Sequence, residues 1–183
     1  RTDAGVHAKE MTANAVLDTD LSTAQIRKYM NQYLPADISI LEVHEASPRF
    51  HSRYMAVGKT YEYTCYAGPA KPVFDRNYVY ILDRNPDIRS MQKAAAYLTG
   101  QHDFKSFCGN PRFKKSTVRT VDSIQIVQKG PYIIFTYHGD GFLQNMVRIL
   151  TGTLLEVGFG MRQPENMNDV LDAASRKAAG FMA

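Results

Sequence analysis

Cysteine is scarce in this chain: only Cys65 and Cys108 occur in 183 residues. Two thiols so far apart build no disulfide framework, and their spacing fits neither a zinc ribbon nor a CxxC redox pair. A reduced, cytoplasmic setting is the expectation. Long apolar runs are lacking as well. None approaches the roughly 18 residues of a membrane-spanning helix, so no span is expected. No basic–apolar–small pattern opens the sequence, so no secretory signal is expected. The histidines (His7, His44, His51, His102, His138) are scattered without metal-ligand spacing. There is no GxSxG, and Gly139-Asp140-Gly141 lacks the remainder of a GxGxxG or a Walker lysine. The first residue is Arg1 rather than methionine, and the sequence stops in Gly180-Phe181-Met182-Ala183. Both ends read as those of a piece of a longer chain.

What is present describes a folded, basic protein. Hydrophobic residues make up 44% and charged residues 22%, so disorder is not expected. A chain of this length buries about 70% of its unfolded surface. The net charge is +4, and it is unevenly placed. Residues 1–70 hold 7 Lys/Arg against 8 Asp/Glu, whereas residues 71–183 hold 15 against 10. From Lys105 to Arg119 there are five bases (Lys105, Arg112, Lys114, Lys115, Arg119) and no acid. Aromatic residues (Phe104, Phe107, Phe113) stand beside and between them, a mixture suited to a phosphate backbone with exposed bases.

Local patterns predict the elements. Residues 6–17 read as extended. Ser22 or Thr23 caps a helix that Pro35 stops. Ile38–Val43 alternates as a strand. Pro48 breaks it, and residues 46–53 are the expected boundary between two lobes. A strand over Thr60–Tyr66 follows, then a proline-rich loop around Tyr78–Leu82. Asp87 opens a helix whose inner face is Met91, Ala94, Ala95 and Leu98, closed by Gly100. Residues 101–117 form a basic loop. Val121–Gln128 and Tyr132–His138 make a hairpin about Gly130-Pro131. Helices over Phe142–Val157 and Pro164–Lys177 complete an α+β pattern with a mainly antiparallel sheet.

Three stretches can carry chemistry. In Arg1-Thr2-Asp3-Ala4-Gly5-Val6-His7-Ala8 a carboxylate stands among small residues that let a substrate approach. Such a group serves as nucleophile or base if a cation keeps it ionised; an ordinary loop aspartate with a turn glycine gives the same letters. In Lys59-Thr60-Tyr61-Glu62-Tyr63, alternation sets both tyrosines on one strand face, where they can stack on a flipped base or simply pack. In Phe142–Gly152, an apolar stripe of Leu143, Met146, Val147 and Leu150 has Arg148 beside it. A lone arginine there seeks an anion, bidentately from a carboxylate, or reaches solvent.

Taken in order, the octet Arg1–Ala8, Lys59–Tyr63 and the helix Phe142-Leu143-Gln144-Asn145-Met146-Val147-Arg148-Ile149-Leu150-Thr151-Gly152 resemble the tRNA pseudouridine synthase A family. So do Arg49-Phe50-His51-Ser52-Arg53, Gly100–Phe107 and Val118–Val121, so the likeness covers nearly the whole chain. The resemblance implies the pseudouridine synthase fold: two lobes with mainly antiparallel mixed sheets flanked by helices, here 1–48 and 49–183. It implies isomerisation of uridine to pseudouridine at positions 38 to 40 of the tRNA anticodon arm, by a homodimer with neither metal nor organic cofactor. By the same likeness Asp3 is the catalytic aspartate, Tyr61 packs on the target base, Arg148 pairs with the aspartate, and Arg1 helps hold the flipped-out site. Members carry a strand and helix before the octet and a further strand after Ala179–Ala183. A non-catalytic RNA-binding module on the same fold is the alternative.

The chemistry agrees with those roles. The N-glycosidic bond must break, the uracil turn, and C5 join C1′. A stacked target must first be extruded, at a cost of a few kcal/mol. Burial alone raises a carboxyl pKa, and a facing guanidinium reverses that shift. Asp3 can then attack C6 of the base or C1′ of the sugar, or remove a proton.

Overall fold

The computed structural model describes residues 2–3 and 5–183. The chain divides into two compact units, Arg1–Ala56 and Val57–Ala183. The division falls downstream of Pro48 because 47–55 is tied into the first unit. Phe50 N–H donates to Ser47 C=O, and Met55 N–H to His51 C=O. Ser52 donates through both N–H and Oγ to Asn14 Oδ1.

In the first unit the only regular element among the described residues is helix α1, Thr23–Tyr33. Ser22 and Gln25 form a reciprocal capping box. The helix ends at Leu34, because the residue before Pro35 is pushed out of the α region. The expected strand over Ile38–Val43 is not formed. Its backbone is held instead by helix side chains: Asn31 Nδ2 donates to Ile40 C=O, and Ile40 N–H donates to Asn31 Oδ1. Arg27 donates to Leu41 C=O. Alternation alone makes no strand where no second strand supplies a ladder.

The second unit is a five-stranded sheet in the order β2-β1-β5-β4-β3. Its strands are β1 (Lys59–Tyr66), β2 (Tyr80–Ile81), β3 (Gly100–Asp103), β4 (Val118–Lys129) and β5 (Tyr132–Gly139). Only β1 and β2 run parallel; all other pairs are antiparallel. Gly130, at φ +59, turns the β4–β5 hairpin with Pro131. Three helices accompany the sheet: α2 (Ile88–Tyr97), α3 (Met146–Gly158) and α4 (Asn166–Asp172). Asp87 caps α2 by accepting from the N–H groups of Arg89 and Ser90. These hydrogen bonds, the Ser90 hydroxyl first, hold its carboxyl below the usual range.

The core lies between one sheet face and α2–α3. Ile126, Ile133, Phe135 and Tyr137 meet Met91, Ala94, Leu98, Ile149, Leu150 and Leu154, all nearly fully buried. Tyr137 spends its hydroxyl on Thr151, 2.8 Å away, so no buried polar atom there is orphaned.

Three expectations are corrected. The 101–117 segment is not all loop: its first residues form β3, and Lys105–Phe107 is a 3₁₀ turn. Gly-Gln-His-Asp has no apolar alternation, since an edge strand with both faces wet needs none. Helix α3 begins at Met146, not Phe142. Asp140 accepts from Thr120 N–H and donates its own N–H to Thr120 C=O, extending the sheet, and Asn145 takes a left-handed φ of 57°. The last helix is only seven residues, because Ala174 (φ 44°) breaks it well before Lys177.

Candidate active site

Described residues of the octet form a turn in the first unit. Val6 N–H donates to Asp3 C=O at 3.3 Å, and Thr2 Oγ1 donates to Val6 C=O at 3.4 Å. Gly5 sits in that turn at φ +76°, a conformation that a side chain would strain. The turn presents Asp3 at the surface of its unit. Arg1 lies outside the described residues.

In the second unit the sequence-predicted Tyr61 and Arg148 come to the same face of β1. Antiparallel pairing with β5 sets Tyr61 opposite Tyr137 and Tyr63 opposite Phe135, so Tyr61, Tyr63 and Cys65 all point to the helix side. The Tyr61 ring meets the edge of Phe142 at 5.3 Å and 84°, a favoured T-shaped pair. It is half-buried.

Arg148 lies in the first turn of α3 and acts on Tyr63. Burial pushes the Tyr63 hydroxyl up to about 12, the Cys65 sulfur adds to the rise, and the Arg148 guanidinium opposes it. The Nε of Arg148 donates to the carbonyl of Ala183 at 2.6 Å, and Ala183 N–H returns a bond to Arg148 C=O at 3.2 Å. One edge of the guanidinium is thereby committed. Its other four N–H donors sit on the two terminal nitrogens, the fork that matches a carboxylate.

The basic segment borders the same corner of the second unit. Gly109 N–H donates to Gln144 C=O at 2.8 Å. A side chain at Gly109 would stand 2.9 Å from the Asn145 amide, so glycine is what lets this segment approach the start of α3. Arg119 runs beside Gly141 while donating to the carbonyls of Ser116 and Val118. Lys105, Arg112, Lys114 and Lys115 are exposed.

Sequence reasoning set Tyr63 on the face of Tyr61 but missed Phe142 and the Ala183 carbonyl as members of this corner. Phe142 was placed inside a helix, although the two glycines just before it signal a turn. Nothing in the sequence marks a backbone carbonyl as the partner of Arg148.

Comparison with known proteins identifies the family. Residues 94–183 match the family described as tRNA pseudouridine synthase. The chain is 42% identical over 181 residues to tRNA pseudouridine synthase A 2 of Clostridium perfringens, which covers 99% of the chain and 74% of that relative. It is 43% identical over 185 residues to tRNA pseudouridine synthase A of Halalkalibacterium halodurans, covering all of the chain and 70% of the relative. The Bacillus sp. tRNA pseudouridine synthase A is 41% identical over 181 residues, with 99% and 74% covered. With the mixed five-stranded sheet and its helices on one face, these likenesses place the chain in the tRNA pseudouridine synthase family.

Proposed function

We propose that this chain isomerises uridine to pseudouridine in tRNA, at positions 38 to 40 of the anticodon arm, with Asp3 as the catalytic carboxylate. Tyr61 packs on the extruded uracil, Arg148 pairs with Asp3, and Arg1 helps hold the flipped-out site in the RNA. The observation that carries this reading is the corner formed by β1 and α3. There a half-buried tyrosine ring braced by Phe142 stands on the same face as an arginine fixed at one edge. A planar base and a carboxylate are the partners such groups accept.

The reaction is a rearrangement within one nucleoside. The N1–C1′ bond breaks, the uracil turns, a C5–C1′ bond forms, and the proton at C5 passes to solvent while N1 gains one. Nothing is oxidised or reduced, so a positioned acid–base set suffices and the site calls for neither metal nor organic cofactor. A facing guanidinium keeps a carboxylate ionised, and aromatic packing offsets the cost of extruding the base. The active form is a homodimer in the cytoplasm, with RNA lying across both subunits.

The test is pseudouridine mapping on tRNA incubated with the chain and with Asp3→Asn. The expected result is modification within positions 38–40, lost on the order of 10³-fold or more in the variant, while tRNA binding stays within a few-fold. Turnover by Asp3→Asn at the normal rate refutes the assignment. Tight tRNA binding with no pseudouridine formed would instead mark an RNA-binding module without catalysis.

A further inference from the structure

Segment 179–183 is tied to α3 and to Arg176 by a series of hydrogen bonds. Gly180 N–H donates to Thr153 Oγ1 at 2.9 Å, and Thr153 is fully buried. Phe181 N–H donates to Glu156 Oε1 at 3.1 Å. Arg176 donates to the carbonyls of Ala179 and Gly180. At its far end Ala183 bonds Arg148 in both directions. The approach is so close that a side chain at Gly152 would stand 2.0 Å from the Phe181 carbonyl.

Glu156 anchors this strap. Its side chain is only 13% exposed, and its second oxygen accepts from Arg162 Nε. A side chain at Gly180 would press within 2.8 Å of the same carboxylate. Arg162 fixes the carboxylate, the carboxylate fixes Phe181, and two residues later the Ala183 carbonyl meets Arg148 Nε. The rings follow the same route: Phe181 lies 6.4 Å from Tyr80, and Tyr80 lies 6.5 Å from Tyr63, whose hydroxyl feels Arg148.

We infer that Glu156 is a positioning residue for the reaction, acting through the strap to set the plane of the Arg148 guanidinium. An arginine side chain has many rotamers, and a bidentate fork is productive only in one plane. Bonding Nε to a backbone carbonyl fixes that plane, and Glu156 holds the carbonyl in place. Glu156 itself touches no reacting atom. The inference rests on the proposed pairing of Arg148 with the catalytic carboxylate.

The experiment compares Glu156→Ala, Glu156→Gln, Arg162→Met and Arg148→Lys by steady-state turnover on tRNA and by hydrogen exchange at the Arg148 Nε–H, assigned by its loss in Arg148→Lys. Glu156→Ala is expected to lower kcat roughly tenfold, with KM within twofold and Nε–H exchange accelerated about tenfold. Glu156→Gln keeps an acceptor for Phe181 N–H and is expected to restore most of both; Arg162→Met falls between. Normal kcat and unchanged Nε–H protection in Glu156→Ala would overturn the inference, as would a Glu156→Gln defect equal to that of Glu156→Ala. If Glu156→Ala does not fold, Arg162→Met decides by the same two readouts. Full turnover in Arg148→Lys would defeat the reading of Arg148 itself, and the exchange data would still report on the strap.

Discussion

At the level of single residues, two positions in the second unit carry opposing pressures whose balance can be measured. Replacing a helix-interior glycine by alanine ordinarily stabilises by about 1 kcal/mol. At Gly152 the added methyl meets the Phe181 carbonyl at 2.0 Å and its carbon at 2.8 Å, and overpacking of this kind costs about 1–3 kcal/mol. The clash exceeds the propensity gain, so Gly152→Ala lowers the urea midpoint. A raised midpoint would mean that the strap lifts away freely. The second position is Cys65, fully buried, whose thiol burial pushes from 9.0 up to about 12. The folded state therefore holds this proton where the unfolded chain releases it. Its contribution is complete below pH 9 and is lost as pH rises toward 12, at up to about 1.4 kcal/mol per pH unit. Tyr63 behaves alike from pH 10 upward. Urea unfolding of Cys65→Ala between pH 8 and 11 should show a shallower loss of stability than the parent; equal slopes contradict it. The sequence showed where Arg148 and Tyr61 stand, because motif spacing fixes position along the chain. It did not show what Arg148 bonds, because a carbonyl some 35 residues away leaves no side-chain signature.

Among the elements, legibility followed the locality of the signal. Capping groups act within one turn, so Asp87 was recognisable from its neighbours and the α1 cap was narrowed to Ser22 or Thr23, of which Ser22 is the one formed. The β4–β5 hairpin was equally clear, since Gly130-Pro131 determines its own turn. Strand β3 and the start of α3 were misread for a different reason. They depend on long-range pairings: β3 with β4, and Asp140 with Thr120. Ile38–Val43 is the instructive opposite, a local alternation with no ladder to join. There Asn31 stands in for a strand by giving and taking a bond at Ile40. Each such bond is worth about 1 kcal/mol net. Asn31→Ala should therefore speed amide exchange at Ile40 roughly fivefold to tenfold, while the amides of α1 keep theirs, since its capping box is untouched. Unchanged exchange at Ile40 would assign its protection to other contacts.

For the molecule as a whole, charge placement decides how it meets a polyanion. A net charge of +4 gives diffuse attraction wherever the lysines lie. A localised grip requires that the bases near the start of α3 contribute more than bases elsewhere. Lys105, Arg112, Lys114 and Lys115 are exposed on a segment whose ends are firmly held: Asp103 bonds Thr117 Oγ1 and the Lys105 N–H, and Gly109 docks on Gln144. Phosphates contacted by such a segment release counterions, and each lowers the slope of log K against log salt by about 0.7–0.9. Replacing those four by alanine should flatten the salt dependence of tRNA binding by as much as about 3 in slope. The matched control replaces Lys71, Lys93, Lys129 and Lys177, which are exposed on other parts of the same unit. It removes the same formal charge. If binding is localised, the control changes the slope by less than 1. If both sets flatten it equally, the attraction is a property of net charge alone, and the segment beside α3 has no special part in holding RNA.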